Sequence, residues 1–169
     1  MTPTQYKDIK NHKKRAAVFL DRDGTIIEDR GQNSCPRDIV FFDDTFSALR
    51  LLQKQFLLFI VTNQSGVGMG RISREAAEIS NAYVERCLQD EGITITQVYS
   101  CFHKRDDNCS CIKPNPFFLY KAEMKYHVDL ERSYVIGDHP HDIEFAYNVR
   151  FPQLDIIYLI SGILIANTY

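Results

Sequence analysis

Phe56-Leu-Leu-Phe-Ile-Val61 is a continuous apolar run of six residues. A run of that length with no polar face reads as a strand buried on both sides, so the chain must cover a sheet with other elements above and below. Ala16–Leu20, Val98–Phe102, Tyr134–Ile136 and Ile156–Ile160 read as further strands. Helical spacing fills the intervals. Phe46, Leu49, Leu52 and Gln53 follow the N-cap chemistry of Asp43-Asp44-Thr45, and Ser73 can cap a long helix that Gly92 stops. Within that helix Ala76, Ile79, Tyr83 and Cys87 are expected to share the buried face. Phe117–His127 and Ile143–Asn148 also read as helices. Strand–helix alternation predicts an α/β fold, a mainly parallel sheet with helices on both faces.

At 169 residues, with 44% hydrophobic and 25% charged residues, the chain suits one domain over 16–169 behind a loosely ordered arm, 1–15. A net charge of -2 and a pI of 6.2 give no electrostatic case for nucleic acid or an anionic membrane. The aromatic residues are scattered through the strands and helices, as core packing requires. The polar opening lacks the apolar stretch of a secretory signal. The apolar segment Ile156–Ala166 is too short to span a bilayer and is broken by Ser161-Gly162. Five cysteines without export signals point to a reducing, cytoplasmic setting, where clustered thiols mean metal or catalysis. The expected partner is a small soluble molecule, and a monomer is the simplest assembly.

Chemistry-bearing residues recur just after the strands. Val18-Phe-Leu-Asp21-Arg-Asp23-Gly24-Thr25 places two carboxylates two residues apart at a strand end. Such neighbours repel as anions, so a divalent cation or a shared proton must relieve them. One can then act as nucleophile while the other moves protons. Thr62 begins a loop with Gly66, Gly68 and Gly70 that can present backbone N–H groups to an anion. Lys113 offers a compact positive charge, and Gly137-Asp138-His-Pro-His-Asp142 offers two more carboxylates. Mg²⁺ takes few protein carboxylates alongside water and phosphate oxygens, which suits Asp21, the Asp23 carbonyl and Asp138. Together these are the parts that phosphoryl transfer needs.

A second cluster, Cys101-x-His103-x5-Cys109-x-Cys111, carries three thiols and an imidazole. That is a Cys₃His set for tetrahedral Zn²⁺, closed to water and therefore structural, pinning the loop that ends at Lys113. Cys35 and Cys87 lie outside it; Cys87 suits a small core position.

Taken in order, Asp21-Arg-Asp-Gly-Thr25, Thr62, Lys113 and Gly137-Asp138 with Asp142 resemble the four motifs of the haloacid dehalogenase-like phosphatases, whose fold is Rossmann-like. The resemblance implies an aspartyl-phosphate on Asp21, Asp23 as general acid and then base, and Thr62 and Lys113 on the phosphoryl group. The zinc-type loop before Lys113-Pro114 is similar to that of the D-glycero-D-manno-heptose 1,7-bisphosphate and histidinol-phosphate phosphatases. Thr62-Asn63-Gln64-Ser65-Gly66 is similar to their substrate loop, and Asp29-Arg-Gly31 to their Asp-x-Gly segment. A phosphatase without a cap domain, removing the 7-phosphate of the heptose bisphosphate, is the expected activity.

Several positions depart from that pattern. Ile112 stands where Arg is usual, Gln32 for Tyr, Met69 for Arg, His139 for Lys and Arg150 near a usual Gly, and the helix that normally follows the last strand has no counterpart. They bear on substrate recognition and leave the reaction residues in place. Histidinol phosphate is the alternative substrate, and a zinc-stabilised binding protein the alternative of another class. Retention of both Asp21 and Asp23 speaks against the latter.

Overall fold

The computed structural model describes residues 14–31, 33–149, 156–158 and 164–167. Four parallel strands form the heart of the sheet: β1 (Ala17–Leu20), β2 (Leu57–Asn63), β3 (Ile95–Cys101) and β4 (Tyr134–Gly137). Two short strands, β5 (Ile156–Tyr158) and β6 (Leu164–Asn167), complete it in the order β3-β2-β1-β4-β6-β5. β6 runs antiparallel to both β4 and β5. The final strand read from the sequence is thus one arm of an antiparallel pair. Its partner lay hidden in the same apolar segment, because a short apolar run carries no sign of strand direction.

β1 and β2 alternate their side chains between two cores. Ala17, Phe19, Phe59 and Val61 face one side, against Phe118, Leu119, Ala122, Phe145 and Ala146. Val18, Leu20, Leu58 and Ile60 face the other, against Leu49, Val84 and Leu88. Helices α1 (Thr45–Leu52) and α3 (Arg74–Asp90) cover the second face, and α4 (Phe117–Tyr126) and α5 (Pro140–Tyr147) the first. A four-residue turn, α2 (Ser65–Gly68), lies within the glycine-rich loop, which the sequence shows only as irregular. Among the described residues between Asp23 and Thr45 only a 3₁₀ turn, Pro36–Asp38, interrupts the loop, and no cap domain is present.

α3 corrects the sequence reading. Its Ser73 cap holds, with Oγ accepting from Ala76 N–H at 3.0 Å. The buried face, however, is Ala77, Ser80, Asn81, Val84 and Leu88, while Ile79 is half exposed. The apolar stripe misleads because the face that packs inward carries two polar residues with partners in the site. α5 likewise begins three residues earlier than expected, at Pro140, whose fixed φ suits a first helical turn.

Arg15, assigned to the arm, is tied to the fold: its N–H donates to His127 O at 3.2 Å and its O accepts from Asp129 N–H at 2.9 Å. Residues 1–13, Gln32, Arg150 and the end of the expected last strand at 159–160 lie outside the described residues.

Candidate active site

The parallel sheet reverses its winding at β1, since β2 lies on one side of it and β4 on the other. Carboxyl ends of strands at such a point open a crevice. Asp21 follows β1 there, and its N–H donates to Ile136 O at 2.8 Å, locking it to β4. Asp138 follows β4. Thr62 is the penultimate residue of β2, its hydroxyl accepting from Gln64 Nε2 at 2.8 Å.

Lys113 is buried, and its Nζ donates to Asp21 Oδ1 at 2.7 Å and to Asp142 Oδ1 at 2.6 Å. Burial alone would depress this amine, but the two carboxylates outweigh it and hold Lys113 above the usual lysine range. Burial pushes the Asp21 carboxyl up to about 6, with Lys113 opposing the shift and Asp142 adding to it. Burial also holds His141 below the usual imidazole range.

Asp21, Asp138 and Asp142 each bring a carboxylate oxygen within 4.8 Å of the others. Asp138 Oδ1 is buried with no hydrogen-bond partner, an orphaned acceptor of the kind a cation satisfies. Asp142, whose role the sequence left open, is fully buried and doubly engaged: Oδ1 on Lys113 and Oδ2 accepting from His139 N–H at 3.1 Å. Asp142 therefore orients the lysine and caps α5, leaving Asp21 and Asp138 better placed for the ion. Two glycines make the cluster possible. A Cβ on Gly137 would lie 2.2 Å from Asp142 Cγ, and one on Gly24 would lie 2.2 Å from Asp138 Oδ2.

A cleft of about 270 Å³ opens over these groups. Asp21, Asp23, Asp29, Thr62, Asn63, Gln64 and Ser65, all singled out from the sequence, line it together with Arg71, Arg105 and His139. Asn63 also exchanges hydrogen bonds with the Lys113 backbone, Nδ2 to O at 3.2 Å and N–H to Oδ1 at 3.0 Å, so its amide fixes the lysine loop. Ile112 is buried among the apolar residues of the first core and does not line the cleft. At this position the chain therefore brings no side chain to the cleft. Sequence reasoning missed Arg71 and Arg105 in the cleft wall, and Arg22 and Asn33 as partners of Asp23.

The four metal-type residues converge. Cys111 Sγ lies 3.2 Å from Cys101 Sγ, 3.7 Å from Cys109 Sγ and 3.3 Å from His103 Nδ1. Cys101 Sγ lies 3.6 Å from Cys109 Sγ and 3.5 Å from His103 Nδ1. Ligands of a tetrahedral zinc ion stand about 3.4–3.8 Å apart. Three of these five distances lie in that range and the two made by Cys111 at 3.2 and 3.3 Å fall just short of it, so the set fits with a small outward shift of that thiol. Burial holds the Cys101 thiol above its ordinary value, a shift that a cation held by this set would reverse. The loop is stitched to the site: Gln64 N–H donates to Cys101 O at 2.7 Å, and a Cβ on Gly68 would sit 2.5 Å from Lys104 N.

The HAD-hydrolase-like family pattern matches residues 110–152, which contain Lys113, Asp138 and Asp142. The D-glycero-beta-D-manno-heptose-1,7-bisphosphate 7-phosphatase of Helicobacter pylori J99 is 35% identical over 79% of this chain and 78% of its own length. The chain is a haloacid dehalogenase-like phosphatase. The enzyme of the same name from Escherichia coli K12 is 34% identical over 79% of this chain and 74% of its own length. The D,D-heptose 1,7-bisphosphate phosphatase of B. bronchiseptica, solved with magnesium and phosphate, superposes with a TM-score of 0.71 at 28% identity, covering 78% of this chain and 74% of that one. This phosphatase also matches the histidine biosynthesis bifunctional protein HisB of Buchnera aphidicola, 36% identical over 81% of this chain, but spans only 40% of that protein. No described helix is long and apolar enough to cross a membrane.

Proposed function

We propose that this phosphatase removes one phosphoryl group from a small sugar bisphosphate, with the 7-phosphate of D-glycero-D-manno-heptose 1,7-bisphosphate as the first candidate. The observation that carries the reading is the buried Asp21–Lys113–Asp142 triad at a strand end, facing a cleft in a chain whose relatives bear that enzyme's name. Arg71 and Arg105 line the cleft, and neither makes a side-chain hydrogen bond or ion pair among the described residues. Both are available for a second anionic group, a task the buried Ile112 cannot perform.

In this scheme an Asp21 carboxylate oxygen attacks phosphorus and the phosphate–oxygen bond to the sugar breaks. Asp23 gives its proton to the departing oxygen. A water then attacks the aspartyl-phosphate, losing its proton to Asp23, and free phosphate leaves. Thr62 and Lys113 hold the phosphoryl oxygens, while Asp29, Asn63, Gln64 and Ser65 border the sugar. Asp21, the Asp23 carbonyl and Asp138 would hold Mg²⁺, which supplies charge neutralisation to the anions that must meet there. Cys101, His103, Cys109 and Cys111 would hold a structural Zn²⁺.

The test is phosphate release from a panel of sugar mono- and bisphosphates and histidinol phosphate, with Mg²⁺ present and absent. Preference for histidinol phosphate would move the chain to the alternative substrate. Asp23→Asn is expected to lower kcat on a sugar phosphate by roughly 10²–10⁴. The loss should be smaller on nitrophenyl phosphate, whose leaving group needs little protonation. Equal losses on both substrates would remove the acid role.

Stripping zinc should lower stability and activity together, because Cys111 stands two residues before Lys113. Elemental analysis of protein purified without chelators is expected to give one zinc per chain, and Cys109→Ser to lower both the Tm and kcat. A zinc-free protein of full activity would contradict the assignment.

A further inference from the structure

Arg22 sits between the two reaction carboxylates in sequence, yet it is only 1% exposed. An arginine is seldom buried unless its charge and its donors are matched. Here they are. Nε donates to Asp23 Oδ2 at 2.9 Å and Nη2 to Asp23 Oδ1 at 3.0 Å, a two-pronged clamp on one carboxylate. Nη1 donates to Asn81 Oδ1 at 2.6 Å. Asn81 is in turn fixed by its Nδ2, which donates to Ser100 Oγ on β3 at 3.0 Å.

A second chain of contacts ends on the same carboxylate. Asn33 Nδ2 donates to Asp23 Oδ1 at 2.5 Å, and the Asn33 carbonyl accepts from Ser80 Oγ at 2.5 Å. Gln64 Nε2 donates to Asp23 Oδ2 at 3.2 Å. Ser80 and Asn81 are the two polar residues on the buried face of α3, and this network accounts for their presence there.

We infer that Arg22 is the positioning residue for Asp23, a buried fork, anchored on α3 through Asn81, that sets the direction in which the acid–base carboxyl faces the cleft. The inference rests on the acid–base reading of Asp23 given above. A short carboxylate at a cleft wall has several rotamers, and each one lost before substrate arrives is an ordering cost removed from the reaction. The planar guanidinium performs this task because Nε and Nη2 together hold both carboxylate oxygens, restraining the orientation of the carboxylate as well as its position. Lysine would keep the charge and lose the plane.

The test is a double-mutant cycle in kcat, with Tm and KM followed in the same proteins. Arg22→Lys is expected to lower kcat ten- to a hundredfold with KM changed less than twofold. In an Asp23→Asn background the same substitution should change kcat less than twofold, because its target carboxyl is gone. A purely structural arginine would cost equally in both backgrounds, and that result, or wild-type kcat in Arg22→Lys, overturns the inference. Wild-type kcat in Asp23→Asn alone overturns the acid–base reading and this inference with it, so the two failures are distinguishable. If Arg22→Lys does not fold, Asn81→Ala removes the anchor from α3 instead. It should lower kcat three- to tenfold, again only when Asp23 is present; equal loss in both backgrounds would overturn the proposal.

Discussion

Asp21→Asn is expected to abolish turnover, lowering kcat by at least about 10⁴, since an amide cannot attack phosphorus and substitutions of a nucleophile fall in that range. The fold should survive, and at neutral pH the metal-free variant should be at least as stable as the wild type. The carboxyl is pushed up to about 6 by burial, above its ordinary value, so between about pH 4 and 6 the folded state binds more protons than the unfolded one. Stability contributed by the protonated form is present at low pH and is lost as pH rises through the folded value. Above that window the wild type carries a penalty on the order of 2–3 kcal/mol by the usual conversion, which the amide does not incur. Melting curves in chelator between pH 4.5 and 8 check this: the wild type should lose Tm relative to Asp21→Asn as pH rises. Mg²⁺ should raise the wild-type Tm more than that of the variant. Turnover by Asp21→Asn above a trace would remove the covalent mechanism.

Lys113→Met should be the most damaging change to both stability and activity. It leaves Asp21 and Asp142 as buried anions without their shared cation, and removing one partner of a buried charge set costs about 3–5 kcal/mol. Part of that loss should return with Mg²⁺, so the Tm gap between variant and wild type is expected to narrow when the ion is added. Activity should fall by at least about 10² even where the protein is folded, because the phosphoryl oxygens lose a fixed positive charge. A variant with wild-type Tm in chelator would mean that Asp21 and Asp142 do not share a dehydrated cluster with this lysine.

Much of this protein can be read locally. Apolar runs such as Leu57–Val61, followed at once by polar residues, announce buried strands with chemistry at their carboxyl ends, and the C-x-H…C-x-C spacing announces its own geometry. These signals survive in one dimension because they depend on neighbours along the chain. The parallel four-stranded core, the convergence of Asp21, Thr62, Lys113 and Asp138, and the meeting of the four zinc-type ligands all follow from them.

Tertiary structure alone decided the rest. Side-chain periodicity groups Ile79 with Ala76, Tyr83 and Cys87 on the buried face of α3, whereas the fold buries Ser80 and Asn81 there, because hydrogen bonds to Asn33 and Arg22 outweigh the burial of one apolar residue. The direction of the last two strands, the burial of Ile112 and the double duty of Asp142 depend on partners far away in sequence. So does the fate of Arg22. Nothing in the D-x-D motif itself singles Arg22 out; with Asn81 placed across from it, 59 residues further on, it becomes the buried clamp on Asp23. Sequence determines which groups are available for the chemistry, whereas long-range packing determines which are dehydrated, which are paired, and therefore which way each one points.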